Sequence, residues 1–165
     1  LGYMVKQGTL LRASRGVYTL PDVWDDDFLN LQTRFKRGVF SHETALFLWN
    51  LTDRTPTAYH MTFPTNYNLS NPRLEGVCCA QVKPDLYIIG IETVKTPAGN
   101  AVNCYSAERT LCDILRPYHA TDIQLVTEAF KCYTSSNQKN IPLLSEYARK
   151  FGVAKKIRPY LEVLL

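Results

Sequence analysis

Histidine is scarce here: three residues in 165, at positions 42, 60 and 119, none close to another along the chain. A structural zinc site draws on two close pairs of Cys or His ligands, and that spacing is absent. The five cysteines, at 78, 79, 104, 112 and 132, include one adjacent pair but no C-x-x-C, and an odd number does not suit a secreted disulfide framework. They read as reduced core residues, and no metal or other cofactor is expected. Long apolar runs are missing too. No stretch reaches the roughly 20 apolar residues of a membrane span, and LGYMVKQGTLL at the start has neither the apolar core nor the cleavage site of a signal peptide. A cytoplasmic protein without a membrane partner is expected. Neither the phosphate-cradling G-x-x-x-x-G-K-[ST] nor the nucleophile elbow G-x-S-x-G occurs.

What is present suits one folded core: a hydrophobic content of 45% over a chain long enough to bury it. The net charge of +4 is unevenly placed. Lys6, Arg12 and Arg15, with no acid, give residues 1–20 a charge of +3; residues 141–165 also reach +3, while residues 41–140 carry −1. Basic ends flank a near-neutral middle, and placement matters more than the sum for anion binding.

The pattern predicts an α+β fold, a small mixed sheet with helices packed around it. Thr9–Arg12 and Val17–Leu20 read as strands about the turn Ala13–Gly16, a hairpin that is only marginally stable unless it packs on something. The chain is expected to begin partway through this unit. Trp24, Phe28, Leu31 and Phe35 form the stripe of a helix over Val23–Arg37, with Asp22 as its cap. Strands are expected at Val39–Phe40, Thr57–Phe63, Val77–Val82, Leu86–Val94 and Ala101–Tyr105, with a polar loop over Pro64–Pro72. Helices follow: one capped by Ser106, one by Thr121 with Gln124 as a capping box, one started by Pro142 and ended by Gly152, and a last one bent or shortened near Pro159.

Candidate chemistry is sparse. In FSHETALFLWNLTDRTP, residues 40–56, His42 and Glu43 stand side by side and Asp53-Arg54 follow, but Ser41 reads as the N-cap of a packing helix with Ala45, Leu48 and Trp49 on one face. Asp85, Glu92 and Lys95 loosely echo a metal-dependent nuclease signature. Three-residue spacing puts Glu92 and Lys95 on opposite faces of a strand unless a bulge intervenes, so the geometry works against it. Arg109 and Asp113, four apart, read as an intrahelical ion pair. On the leading hairpin, Lys6, Arg12, Arg15 and Tyr18 are placed to meet phosphates or enter a groove. The basic C-terminal helix, with Lys155, Lys156 and Arg158, offers a further reading as a protein- or RNA-interaction module.

The runs GTLLRASRGVYTLPD, RFKRGVFSHETALFLWNLTDRTP, YHMTFPTNYN, SAERTLCDILR and YARKFGVAKKIRPYLEVLL, spanning nearly the whole chain, resemble the AbiEi-type antitoxins of bacterial type IV abortive-infection toxin–antitoxin systems. The resemblance implies a winged helix-turn-helix followed by an antitoxin domain. Residues 1–21 would be the wing hairpin of a truncated winged helix-turn-helix, with the preceding helices, recognition helix included, missing or cut short; residues 22–165 would be the antitoxin domain. It further implies a protein that is not an enzyme, represses its own operon at inverted repeats in promoter DNA, and counteracts a nucleotidyltransferase-like toxin without a stable complex. DNA contacts would come from Lys6, Arg12, Arg15 and Tyr18. His42, Glu43, Asp53, Arg54, Lys155, Lys156 and Arg158 are candidates for the antitoxin surface.

Overall fold

The structure is a computed structural model that describes residues 25–164 and, as backbone, residues 11–14 and 17–19. The two short segments pair as antiparallel strands β1 (Leu11–Ser14) and β2 (Val17–Thr19), with Leu11 opposite Thr19, Arg12 opposite Tyr18 and Ser14 opposite Val17. A register shift falls between Arg12 and Ser14. Strand β1 therefore continues through Ala13 and Ser14, which the sequence pattern assigns to the turn. Lys6, Arg15, Asp22 and Trp24 lie outside the described residues.

Helix α1 (Asp27–Arg34) is shorter than its apolar stripe predicts, and its cap is Asp26. The Asp26 carboxylate accepts the backbone N–H of Phe28 at 3.1 Å and of Leu29 at 3.3 Å. It also accepts the Thr96 hydroxyl at 2.5 Å and the Asn100 amide at 2.8 Å. A side chain held by four donors sets the helix start, because moving the cap would leave a carboxylate and two helix N–H groups unpaired.

Strands β3 (Val39–Phe40), β4 (His60–Pro64), β5 (Cys78–Val82), β6 (Ile91–Lys95) and β7 (Ala101–Tyr105) form one sheet in the order β5-β4-β3-β7-β6. Pairs β3–β4 and β6–β7 are antiparallel, and β4–β5 and β3–β7 are parallel. The expected small mixed sheet is thus present. Alternation along β4 sends Met61 and Phe63 into a core with Phe28, Leu31, Phe35 and Phe40, and turns His60 and Thr62 to the other face.

Two stretches depart from the sequence pattern. Helix α3 (Ser70–Leu74) occupies part of the expected polar loop. Helix α4 (Pro84–Tyr87) and the turn over residues 88–90 take the place of the first five residues of the strand expected over Leu86–Val94. Pro84 presets a helical φ at the first position of that turn, and Gly90, at φ 76°, redirects the chain so that extended structure begins only at Ile91.

The remaining helices are α2 (His42–Leu48), α5 (Ala107–Asp113), α6 (Ile123–Ser135), α7 (Ile141–Lys150) and α8 (Ala154–Leu164), eight in all among the described residues. Ser106 caps α5 as expected, accepting the Arg109 N–H at 3.2 Å. Asp122, not Thr121, caps α6, accepting the Gln124 N–H at 3.0 Å. Helix α8 continues past Pro159 to Leu164. These helices share a second core that includes Leu46, Leu111, Phe130, Leu144 and Ile157. All five cysteines are free thiols. Cys104 and Cys112 are core residues, and burial pushes the Cys112 thiol up to about 12, whereas Cys78 and Cys132 are exposed, contrary to the uniform core reading.

At the centre of the helical layer stands Arg109, with no solvent exposure. The expected pair with Asp113 is made, Nε to Oδ2 at 2.9 Å, but deep inside rather than on a solvated helix face. Nη1 donates to the Leu86 carbonyl at 2.7 Å and to the Ile89 carbonyl at 2.8 Å. The guanidinium carbon lies 4.3 Å from the Tyr105 ring centre and 3.9 Å from that of Phe151. Arg109→Met strands a buried carboxylate and two carbonyls, so a loss of about 3–5 kcal/mol is expected. Urea unfolding followed by circular dichroism measures it. Arg109→Met combined with Asp113→Leu should recover part of the loss, since no buried charge is then left alone.

Candidate functional site

Strand β3 delivers the chain to Ser41, extended at φ −145° and ψ 175°, and His42 then adopts φ 50° as α2 begins. Positive φ in a non-glycine residue costs on the order of 1–3 kcal/mol and persists only where its surroundings hold it. Here they do. The Ser41 N–H donates to the His60 carbonyl at 3.0 Å, and the His60 N–H donates to Thr44 Oγ1 at 2.8 Å. Ser41 sits at the expected cap position, but its hydroxyl caps nothing. It accepts the Thr62 hydroxyl at 2.8 Å and meets His42 Nδ1 at 2.9 Å. The side chain that the sequence offers as a cap instead ties α2 to β4.

This tie brings His60 beside His42. His119 arrives from the segment after α5, where its N–H donates to the Arg116 carbonyl at 3.2 Å. All three histidines meet. Ring centres of His42 and His119 are 4.1 Å apart, those of His60 and His119 5.5 Å, and those of His42 and His60 6.2 Å. Glu43 completes the group, its Oε1 3.9 Å from His119 Nε2. One ligand-capable atom from each of Glu43, His60 and His119 lies within 4.8 Å of the others.

Burial lowers the proton affinity of all three rings. For His42, held well below the ordinary value, the neighbouring His119 and His60 lower it further, followed by Arg109 and Arg116. Glu43 partly offsets burial at His60 and His119. His60 Nδ1 and His119 Nε2 are buried without a hydrogen-bond partner. Beside them opens a cleft of about 230 Å³, lined in part by His42, Thr62, Gln81, Arg116, Tyr118 and His119. Its floor includes Asp113, which burial pushes above the usual carboxylate range against the pull of Arg109 and Arg116. Neutral imidazoles beside a carboxylate are a donor set for a borderline transition metal.

Of the residues singled out from sequence, His42 and Glu43 belong to this group. Asp53 and Arg54 do not. Arg54 pairs with Asp122 at 3.2 Å and Glu128 at 3.4 Å, fastening the segment after α2 to the start of α6. Lys156 donates to the Leu115 carbonyl at 2.8 Å, Arg158 pairs with Glu162 at 2.5 Å, and Lys155 is exposed on α8. Arg12 is the register partner of Tyr18 in the β1–β2 pair. Asp85 is exposed on α4; Glu92 and Lys95 lie on β6, whose pairing with β7 is regular, so they project to opposite faces as their spacing predicts. Among the described residues, no potential metal-binding group contains any of these three. Sequence reasoning did not connect His60, His119, Asp113 and Arg116 to a site. The one available signal was the alternation in TAYHMTF, which sets His60 on the opposite face from Met61 and Phe63.

Comparison with protein-family models and with curated proteins finds no match.

The histidine cluster carries a pH signature. Its rings bind protons less readily in the folded protein than in the unfolded chain, whose histidines titrate near 6.5. Between those values the unfolded state holds more protons, so stability is full above about 6.5 and falls as pH drops towards the lowered folded values. The facing charges of Glu43, Asp113, Arg109 and Arg116 tune the midpoint. Urea unfolding from pH 7.5 to 5 in buffer with chelator should show this loss, with a His42 share approaching about 1.4 kcal/mol per pH unit. His42→Gln should flatten the profile by that share.

Proposed function

We propose that this protein is a DNA-binding antitoxin of the type IV abortive-infection class, an autorepressor that counteracts a nucleotidyltransferase-like toxin and does no chemistry of its own on nucleic acid. The N-terminal ribbon is its wing, and the domain from about residue 22 carries the antitoxin surface. The observation that carries the reading is a convergence. FSHETAL supplies His42, YHMTFPTNYN supplies Thr62, and SAERTLCDILR supplies Asp113 and Arg116, so three separate runs of the resemblance line one cleft. The paired ribbon, with Arg12 opposite Tyr18, adds support, since cations on a two-stranded ribbon can lie along phosphates.

The nuclease reading through Asp85, Glu92 and Lys95 is the weaker one, because the regular β6–β7 ladder lacks the bulge that would bring Glu92 and Lys95 to one face.

The test is binding of the full-length protein to its own promoter across a salt series, read by fluorescence anisotropy. Affinity should fall steeply with salt. Arg12→Ala with Arg15→Ala should weaken binding on every sequence and reduce the log–log salt slope by about two. Unchanged binding of the double variant at about 0.15 M salt would remove the wing from the DNA interface.

A further inference from the structure

We propose that Glu43, His60 and His119 bind a single divalent transition-metal ion, with zinc the ion best matched to the donor set. Three observations, independent of the DNA-binding reading, carry the site. First, one carboxylate and two imidazoles from three separate elements place ligand atoms within 4.8 Å of one another. Metal bonds of about 2.0–2.2 Å keep tetrahedral ligand atoms about 3.4 Å apart, so modest rotation of the three side chains closes the set on an ion. Second, His119 Nε2 is buried without a hydrogen bond and stands 3.9 Å from Glu43 Oε1. A buried imidazole nitrogen kept for packing normally finds a hydrogen bond, whereas one left without a bond beside a carboxylate is satisfied together with it by one cation.

Third, the surroundings are built to hold the ligands. The Thr44 hydroxyl fixes the His60 backbone, and the Ser41 carbonyl receives the Ala45 N–H at 3.2 Å, anchoring the turn of α2 that carries Glu43. His42 packs its ring 4.1 Å from that of His119 while its Nδ1 is held by Ser41 Oγ at 2.9 Å. His42 is a positioning residue that restrains the His119 ring. Imidazole and carboxylate together favour zinc, iron(II) or manganese(II) over copper(I), which seeks thiolate, and over calcium or magnesium, which seek oxygen alone. Three protein ligands leave a coordination position free, as in zinc sites that take up water or a substrate oxygen. His119 is both a ligand and part of the cleft lining, so that position lies next to the cleft.

The experiment uses the full chain stripped with chelator, then titrated with Co²⁺ by visible absorption and with Zn²⁺ by calorimetry. One ion per chain should bind, with Co²⁺ giving the intense ligand-field bands of a four- or five-coordinate site and Zn²⁺ displacing it. His119→Ala and Glu43→Gln change half-buried side chains and should keep the circular dichroism spectrum. Each should weaken Zn²⁺ binding by more than the roughly 10–100-fold typical of losing an outer-shell partner, with His42→Gln falling inside that range and keeping one ion per chain. Absence of saturable binding at one ion per chain, or stoichiometric binding that survives His119→Ala with Glu43→Gln, would overturn the proposal.

Discussion

A guanidinium sealed inside the helical layer is the constraint on which the rest depends. A charge taken out of water is tolerated only where its partners are in place, and those of Arg109 come from four parts of the chain: Asp113 on the same helix, the Leu86 and Ile89 carbonyls around α4, the Tyr105 ring at the end of β7, and the Phe151 ring at the end of α7. Holding this one residue therefore docks the sheet and the helices together, although its Nη2 makes no hydrogen bond. Gly90 belongs to the same arrangement: a Cβ there would stand 3.0 Å from Arg109 Cβ. The buried cation is one reason the strand expected over Leu86–Val94 does not start at Leu86, since the Leu86 and Ile89 carbonyls go to Arg109 instead of to the sheet.

From that anchor the cleft follows. Asp113, held by Arg109, is approached by Arg116 at 3.7 Å, and the segment that continues from Arg116 brings His119 back against α2. On the other side, Ser41 and Thr44 tie α2 to β4 and set His60 in place. His42 spends its backbone strain at the junction of these two systems. The cluster is thus not an appendage on a finished core. It sits where the sheet, α2 and the segment after α5 join, which is why its polar groups are buried in spite of their cost.

Much of the fold was legible along the chain. Apolar periodicity located α1, α2 and α5 to α8, alternation located β4, short extended runs between turns located β3, β5 and β7, and the failure of Glu92 and Lys95 to share a face followed from a period of two. Boundaries shifted where a distant partner outbid a local one. Asp26 is the cap of α1 because Thr96 and Asn100 also bind it, and Ser41 gave up its capping role to hold Thr62. Short helices such as α3 lack the length to show a stripe at all.

Order along the chain settles the properties of neighbours: which residues share a helix face, where charge collects, that Arg109 and Asp113 can pair, that the leading segment pairs as a ribbon. Tertiary structure alone decided that His42, His60 and His119 meet. Local pattern states which face of an element a side chain takes, but strand order states what stands opposite that face. Three histidines on a helix start, a strand and a connecting segment become neighbours only when β3 lies between β4 and β7, with α5 leading on from β7.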